Sequence, residues 1–529
     1  MKSKLSLFLA FILIAGILTG CGGGGAEQGT GGAPEGQQVM DTCYYAYNST
    51  PVINLDPSVA FSNEVIVLNN VYETLLKYDP FTKEFENVLA ESYTVSDDML
   101  TWTFKLRQGV KFHDGTDFNA EAVKYSVDRT KEIAKGASFI WDVVDSVNVV
   151  DAYTAEFKLN NPAPLNLVVA SPYGAFIMSP ATKDQATDWF EAGNEAGTGP
   201  YTLESYTMGD EVVLSKFDGY WKGWEGKHFD KAIIKGIPET SSRRQLIEKG
   251  EADITIGLPP EDMKALETQG GVDLRYETSF INMMALLNTQ KPPLDNPKVR
   301  EALAYAFPYK DAVDYAIGGF ATQAKGAIPE GLWGHGDDLL QYQEDLDKAK
   351  ALLDEAGIKE GELKLLLTYM SGDEGEKKCA ELFKAELSKI GVELEIRAMP
   401  WESQWSMSKS TNVEDRQDIF MFYWWPDVST PYSWLKSLFY TEDEISFNLG
   451  YYSNKDVDKL IDDGYKASGS DLEAAENLFI QAQEKILAEN PAIFVYDKQD
   501  LWALNPSVKG FTPNPSYPLV VFFYDMYRE

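Results

Sequence analysis

Apolar and polar positions along this chain change period repeatedly, from two to 3.6 and back. Leu100-Thr101-Trp102-Thr103-Phe104-Lys105-Leu106 alternates cleanly and predicts a strand with Trp102 and Phe104 on one face. Val147 to Leu159 predicts two further strands around a turn near Asp151. Asn119 is placed to cap a helix over Ala120 to Ile133, and Asn296 with Pro297 supplies a cap and a preferred first residue for a helix over Lys298 to Phe307. Gln245 to Lys249 reads as a helix end, Gly250 as its stop, and Ala252 to Ile256 as a short strand. The unit returns with a periodic helix over Lys377 to Ile390, a stop at Gly391 and a strand over Val392 to Ile396. This alternation predicts an α/β fold. Gly109, Gly115, Gly199 and Gly219 mark turns expected to need permissive dihedrals.

The first residues follow another logic. Lys2 and Lys4 precede the apolar stretch Leu5 to Leu18, and small residues lead to Cys21, the pattern of a secretory signal. The stretch is shorter than the ~20 residues needed to span a bilayer, which disfavours a transmembrane anchor. Leu18-Thr19-Gly20-Cys21 resembles a bacterial lipobox. That resemblance implies cleavage after residue 20, lipid on Cys21, and a mature chain held outside the cytoplasmic membrane, on the periplasmic side where an outer membrane exists. Gly22 to Gln38 contains no aromatic or branched aliphatic residue and so cannot bury a core. It is expected to act as a flexible tether of roughly 20–25 Å.

From about Val39 to Glu529 the chain is too long for one ordinary core, which predicts two or three lobes. Its 44% hydrophobic and 13% aromatic content are those of a well-packed protein. The formal charge of −35 argues against nucleic acid as a partner, because phosphate binding relies on Lys and Arg. The acidity suits cationic or amine-bearing ligands, or simply a solvated surface. Beyond Cys21 there remain Cys43 and Cys379, too few for a disulfide framework, and they are expected as separate thiols.

The sequence carries no phosphate-binding Gly-rich loop with Lys-Ser/Thr, no His-Glu-x-x-His, no Gly-x-Ser-x-Gly and no Cys-x-x-Cys. His113, His228 and His335 are scattered and read as packing or surface residues rather than metal ligands. With 82 acidic residues no single carboxylate pair is informative, so a lipid-anchored glycosidase or peptidase remains the alternative of a different class.

Several long segments resemble one family. They are Asn70 to Leu76, Leu89 to Tyr93, the run Thr101 to Thr116, Gly197 to Leu203, Tyr220 to Gly223, Asn296 to Leu303, and Tyr452 to Asn454 with Val457 to Ile461. In this order they resemble the extracytoplasmic solute-binding proteins of the oligopeptide, dipeptide and nickel ABC importers, family 5. The resemblance implies an α/β, two-lobed periplasmic-binding-protein-like fold with hinge strands and an extra subdomain on the first lobe. Lobe I would comprise 39–75, 195–285 and 505–529, the inserted subdomain 76–194, and lobe II 286–504, after a signal over 1–20 and a lipidated tether over 21–38. It further implies a monomeric receptor without catalytic activity, cofactor or metal, whose partners are a small-molecule or peptide ligand, the membrane permease and the lipid surface.

Tyr423-Trp424-Trp425-Pro426-Asp427, flanked by Trp401, Trp405, Tyr432 and Trp434, resembles the stretch with which peptide-binding members line the cleft. By that resemblance Asp427 would pair with a peptide's α-ammonium group, Trp424 and Trp425 would present backbone and indole faces to an extended ligand, Tyr423 would lie beside them, and Trp401 would wall a side-chain pocket. The chain departs from the pattern where Thr430 precedes Pro431 and where Asp418 to Tyr423 carries no Arg or Lys. A partner for a ligand carboxylate is therefore not evident there, and Arg243, Arg244 and Arg300 are candidates from elsewhere. Peptide is the expected cargo. Oligosaccharide stacked on tryptophan, or another small solute, is the alternative.

Overall fold

The computed structural model describes residues 41–47 and 54–529; the predicted signal, Cys21 and the Gly-rich tether lie outside the described residues. One mixed sheet runs through the molecule. Its strands follow one another in space as Glu393–Met399, Lys364–Met370, Ile419–Trp424, Asp273–Leu287, Ala492–Leu504, Ile254–Ile256, Thr42–Tyr47, Lys231–Gly236, Glu211–Lys216 and Tyr201–Thr207. The short strand Ala321–Gln323 pairs with Ala492–Leu504 beside this path.

Two strands make the sheet continuous. Asp273–Leu287 has 15 residues and Ala492–Leu504 has 13, and they pair antiparallel from Asp273 opposite Leu504 to Leu286 opposite Ala492. At ~3.4 Å per residue the longer one reaches ~50 Å, enough to serve both lobes. At one end Leu504 lies against Ile254. At the other, Leu287 lies against Ile419. The register slips between Thr278 and Asn282 and again between Met283 and Met284. Such bulges bend a ladder and increase its local twist, which places the bend of the crossing near its middle.

A separate antiparallel sheet orders Ala90–Val95, Thr101–Leu106, Thr154–Leu159 and Val144–Asp151. Trp102 and Phe104 share its buried face, with ring centroids 6.5 Å apart, and Phe157 meets Phe104 edge-on at 5.4 Å. The helix Ala120–Ile133 covers this face, capped as expected by the Asn119 side chain, which accepts from the main-chain N–H of Glu121 and Ala122.

Where helix bounds differ from expectation, local chemistry gives the reason. The helix Glu374–Lys389 begins three residues before Lys377 because the Asp373 carboxylate accepts from Glu376 N at 2.8 Å and so starts it earlier. Pro297–Tyr305 stops short of Phe307, since a residue preceding a proline, here Pro308, disfavours helical dihedrals. Gly109 and Gly115 take the left-handed φ values 77° and 85°. Gly199 and Gly219 do not. A Cβ on Gly199 would lie 2.6 Å from the Asn70 carbonyl oxygen, so backbone requires glycine there, whereas one on Gly219 would lie 2.7 Å from the tip of the Phe217 ring, which would have to move aside. Cys43 and Cys379 are separate, buried thiols, and burial pushes both thiols up from their ordinary range.

Candidate ligand-binding site

The strand Ile419–Trp424 buries its first four residues and emerges at Tyr423 and Trp424. Pro426 cannot donate to a ladder, so the chain leaves the sheet as a loop. Thr430 then caps the helix Pro431–Phe439, its hydroxyl accepting from Ser433 N at 3.3 Å. Thr430 thus supplies a cap of the kind Asp also provides, without the negative charge. The loop is pinned from three sides. Trp333 Nε1 donates to Ser429 O at 2.9 Å, Ser433 Oγ donates to Val428 O at 2.7 Å, and Ser171 Oγ lies 2.9 Å from Asp427 O.

Asp427 is half-buried, and its carboxylate has no hydrogen-bond or ion-pair partner among the described residues. Burial without a compensating charge pushes its pKa up to about 7. Ser171 and Tyr173, from the segment that precedes the sheet's Tyr201–Thr207 strand, stand across from it. The Tyr173 hydroxyl is pushed up first by its own burial and then by the Asp427 charge. Tyr173 meets Phe61 edge-on at 5.5 Å, and Phe61 meets Phe139 at 5.8 Å. Phe61 and Phe139 are 37% and 41% exposed, so the aromatic cluster that includes Tyr173 is accessible on that side.

The other residues singled out in the sequence divide into two groups. Trp425, 42% exposed, is accessible. Trp424 packs edge-on against Phe422 and Phe447 at 6.0 and 5.6 Å, and its buried indole N–H has no partner. Trp401 and Trp405 lie 5.4 Å apart and both pack on Phe420, which draws Trp401 into the same aromatic cluster. Tyr423 is tied to the crossing strand, its hydroxyl 2.7 Å from that of Tyr496. Below that pair, burial and then the charge of Asp373 push Glu376 up to about 8, while its Oε2 accepts from Met370 N at 2.6 Å.

The three arginines considered for a ligand carboxylate are all committed elsewhere, which corrects the sequence expectation. Arg243 is buried and donates to the carbonyls of Ile237, Pro238 and Gly257. Arg300 is buried and donates to those of Leu294, Asp295, Glu489 and Asn490. Arg244 pairs with Glu248 and Asp262 at 2.9 and 2.6 Å. His113 bridges Glu195 and Gly199 O at 2.7 and 2.9 Å, a structural role. Among the described residues no group of His, Cys, Asp and Glu is arranged to hold a metal ion, and no helix is long and apolar enough to cross a membrane.

Sequence reading missed Ser171, Tyr173, Phe61 and Phe139. They sit in no motif; the fold brings Ser171 and Tyr173 to Asp427, and Phe61 and Phe139 join them through Tyr173.

Comparison with known proteins agrees with this architecture. The probable D,D-dipeptide-binding periplasmic protein DdpA of Escherichia coli K12 is 30% identical over 471 residues, covering 87% of this chain and 89% of DdpA. The glutathione-binding protein GsiB of Shigella boydii is 32% identical over 491 residues, covering 89% and 93%. The solved structure of the Helicobacter pylori periplasmic binding protein DppA in complex with the peptide STSA superposes with a TM-score of 0.78 at 25% identity, over 93% of this chain and 99% of that one. The family profile for bacterial extracellular solute-binding proteins, family 5 Middle, matches residues 84–445. With crossing strands between two lobes and relatives alike over nearly their full length, the chain belongs to the bacterial extracellular solute-binding proteins of family 5.

Proposed function

We propose that this protein is a lipid-anchored receptor that captures short peptides between its lobes and delivers them to the membrane permease of an ABC importer. The observation that carries the reading is the Asp427 carboxylate. It is half-buried, without a cation of its own, and its loop is pinned by bonds from three directions. A partly desolvated anion of this kind is costly until a cation meets it, and a peptide's α-ammonium group is such a cation. The peptide named with the H. pylori DppA structure, and the D,D-dipeptide and glutathione named for DdpA and GsiB, support the same class of ligand.

In this reading the lobes are 39–75 with 195–285 and 505–529, and 286–504, with 76–194 inserted in the first. Trp425 and the Phe61, Phe139 and Tyr173 wall contact the ligand's side chains, while Trp401 and Trp424 hold that surface in shape from behind. Tyr423 orients the strand from which the ligand loop departs. Closure is a population shift, since ligand bridging both lobes stabilises the closed form, and no bond in the ligand is broken. A signal over 1–20 directs export, and lipid on Cys21 holds the receptor beside its permease.

The test uses a soluble form beginning near Gly25. Small molecules that co-purify with it are released by denaturation and identified by mass spectrometry. Intact peptides of mixed sequence are the expected result. Oligosaccharides would move the reading to stacking on Trp425, and product accumulating from an added peptide would overturn the assignment as a receptor.

A further inference from the structure

We propose that Gly469 is the residue that lets the cleft shut, because its missing side chain makes room for Met99 and Ala163 of the inserted subdomain to seat on lobe II away from the ligand. This rests on the two-lobe, peptide-capturing reading above.

Gly469 lies in the turn between the helices Lys455–Ala467 and Leu472–Glu489. Its φ is outside the left-handed region, so the backbone there suits any residue. What excludes a side chain is the neighbour. A Cβ on Gly469 would lie 2.8 Å from Met99 Cε and 3.1 Å from Ala163 O. Both belong to the inserted subdomain, across the cleft from Gly469 in the two-lobe reading. The Met99 tip can swing, but the Ala163 oxygen is main chain on a fully buried residue and has nowhere to retreat. The helix pair is equally tight, since a Cβ on Gly464 would lie 2.9 Å from the Phe479 ring.

Met99 is delivered to this point at a cost. It takes a φ of 59°, a left-handed conformation that L side chains rarely adopt. Its turn joins the strands Ala90–Val95 and Thr101–Leu106 and is held by its own side chains, with Asp98 accepting from Leu100 N at 3.0 Å and Ser96 Oγ accepting from Thr101 N at 2.9 Å. A strained, fixed turn thus meets a glycine that its own dihedrals do not require. Two further contacts join the same bodies. Ser171 Oγ lies 2.9 Å from Asp427 O, and Lys83 Nζ lies 2.8 Å from Glu476 Oε1. The side chains of Lys83 and Glu476 are 46% and 27% exposed, so their pair contributes little and reports closure without driving it. The steric limit on closure is set at Gly469.

The experiment couples lysine to carboxylate with a carbodiimide, which joins the two only where they touch. Mass spectrometry of the digest measures the Lys83–Glu476 product with and without a dipeptide pool, and calorimetry and thermal unfolding accompany it. The wild type is expected to give the product, and several-fold more of it with dipeptides. Gly469→Gln should lose most of the product and bind dipeptides roughly tenfold or more weakly, because the shut form is less populated. Its unfolding midpoint without ligand should stay within about 2 °C of the wild type, since nothing touches the new side chain when the cleft is open. Gly469→Ala should fall between, and adding Met99→Ala should relieve it by removing the tip that the methyl group meets. Equal product from the wild type and Gly469→Gln, or no product from the wild type under any condition, would overturn the role of Gly469. So would a midpoint of Gly469→Gln that falls along with its affinity, because the contact would then be permanent packing. Product that forms in the wild type, is lost in Gly469→Gln and ignores dipeptides would overturn the peptide reading and leave Gly469 in its role.

Discussion

Replacing Asp427 by Asn should stabilise the protein without ligand while sharply weakening its response to peptide. The reasoning starts from the carboxylate's rise from 3.8 to about 7, caused by burial. A group whose pKa is raised on folding favours the folded state below its unfolded value, and that advantage is lost as pH climbs towards the folded value. For Asp427 the loss accumulates between about pH 4 and pH 7 and is constant above. At ~1.4 kcal/mol per pH unit it totals ~4 kcal/mol. Asp427 is only half-buried, so solvent screening brings the expected figure to about 2 kcal/mol. Asn has nearly the same shape and no charge. Its unfolding midpoint without ligand should match the wild type near pH 4 and exceed it by roughly 2–4 °C at pH 8. Peptide should then raise the wild-type midpoint and raise that of Asp427→Asn by no more than about half as much, because the lost ammonium contact is worth roughly ten- to a hundredfold in affinity. Thermal scans at several pH values, with and without a dipeptide pool, check both halves. A lower midpoint for Asp427→Asn at pH 8, or an undiminished peptide response, would refute the reasoning.

Three further outcomes follow from the packing and the leader. Arg300→Leu should cost about 3 kcal/mol in denaturant unfolding, since it strands the buried carbonyls of Leu294 and Glu489, while affinity for the dipeptide pool stays that of the wild type. Gly199→Ala forces a methyl group to 2.6 Å from Asn70 O and should lower stability by several kcal/mol or prevent accumulation of folded protein, read by far-UV circular dichroism and yield. Cys21→Ser should move the full chain from the membrane pellet to the soluble fraction after cell fractionation, because the lipid has no thiol to join.

Much of the scaffold could be read without coordinates because its signals are local. Asn119 and Asn296 cap the helices they precede, and Trp102 and Phe104 share the face that alternation assigns them. Side-chain periodicity did not reveal the early start at Asp373, which depends on a single carboxylate reaching Glu376 N. The candidate loop stood out as an aromatic segment before an Asp, but which of its tryptophans face outward depends on partners such as Phe447 that come from distant sequence. The arginines misled for a related reason. A residue's charge says nothing about which carbonyls it must satisfy, and Arg243 and Arg300 are spent holding backbone together. Ser171 carries no signature and becomes relevant only when the fold brings it to Asp427.

The Ser171 hydroxyl has a consequence of its own. It lies 2.9 Å from the main-chain oxygens of both Tyr173 and Asp427, and it has one proton to give. When the walls part, that proton falls back to Tyr173 within its own loop, so separation leaves no stranded donor and costs little enthalpy. When they meet, it can turn to the main-chain oxygen of Asp427, the residue proposed to read the ligand's charge. The latch is therefore nearly silent on its own, and the decision to stay shut is left to the cargo. A receptor that must release what it carries needs a clasp of this kind, neutral between its two positions and tipped by what lies between them.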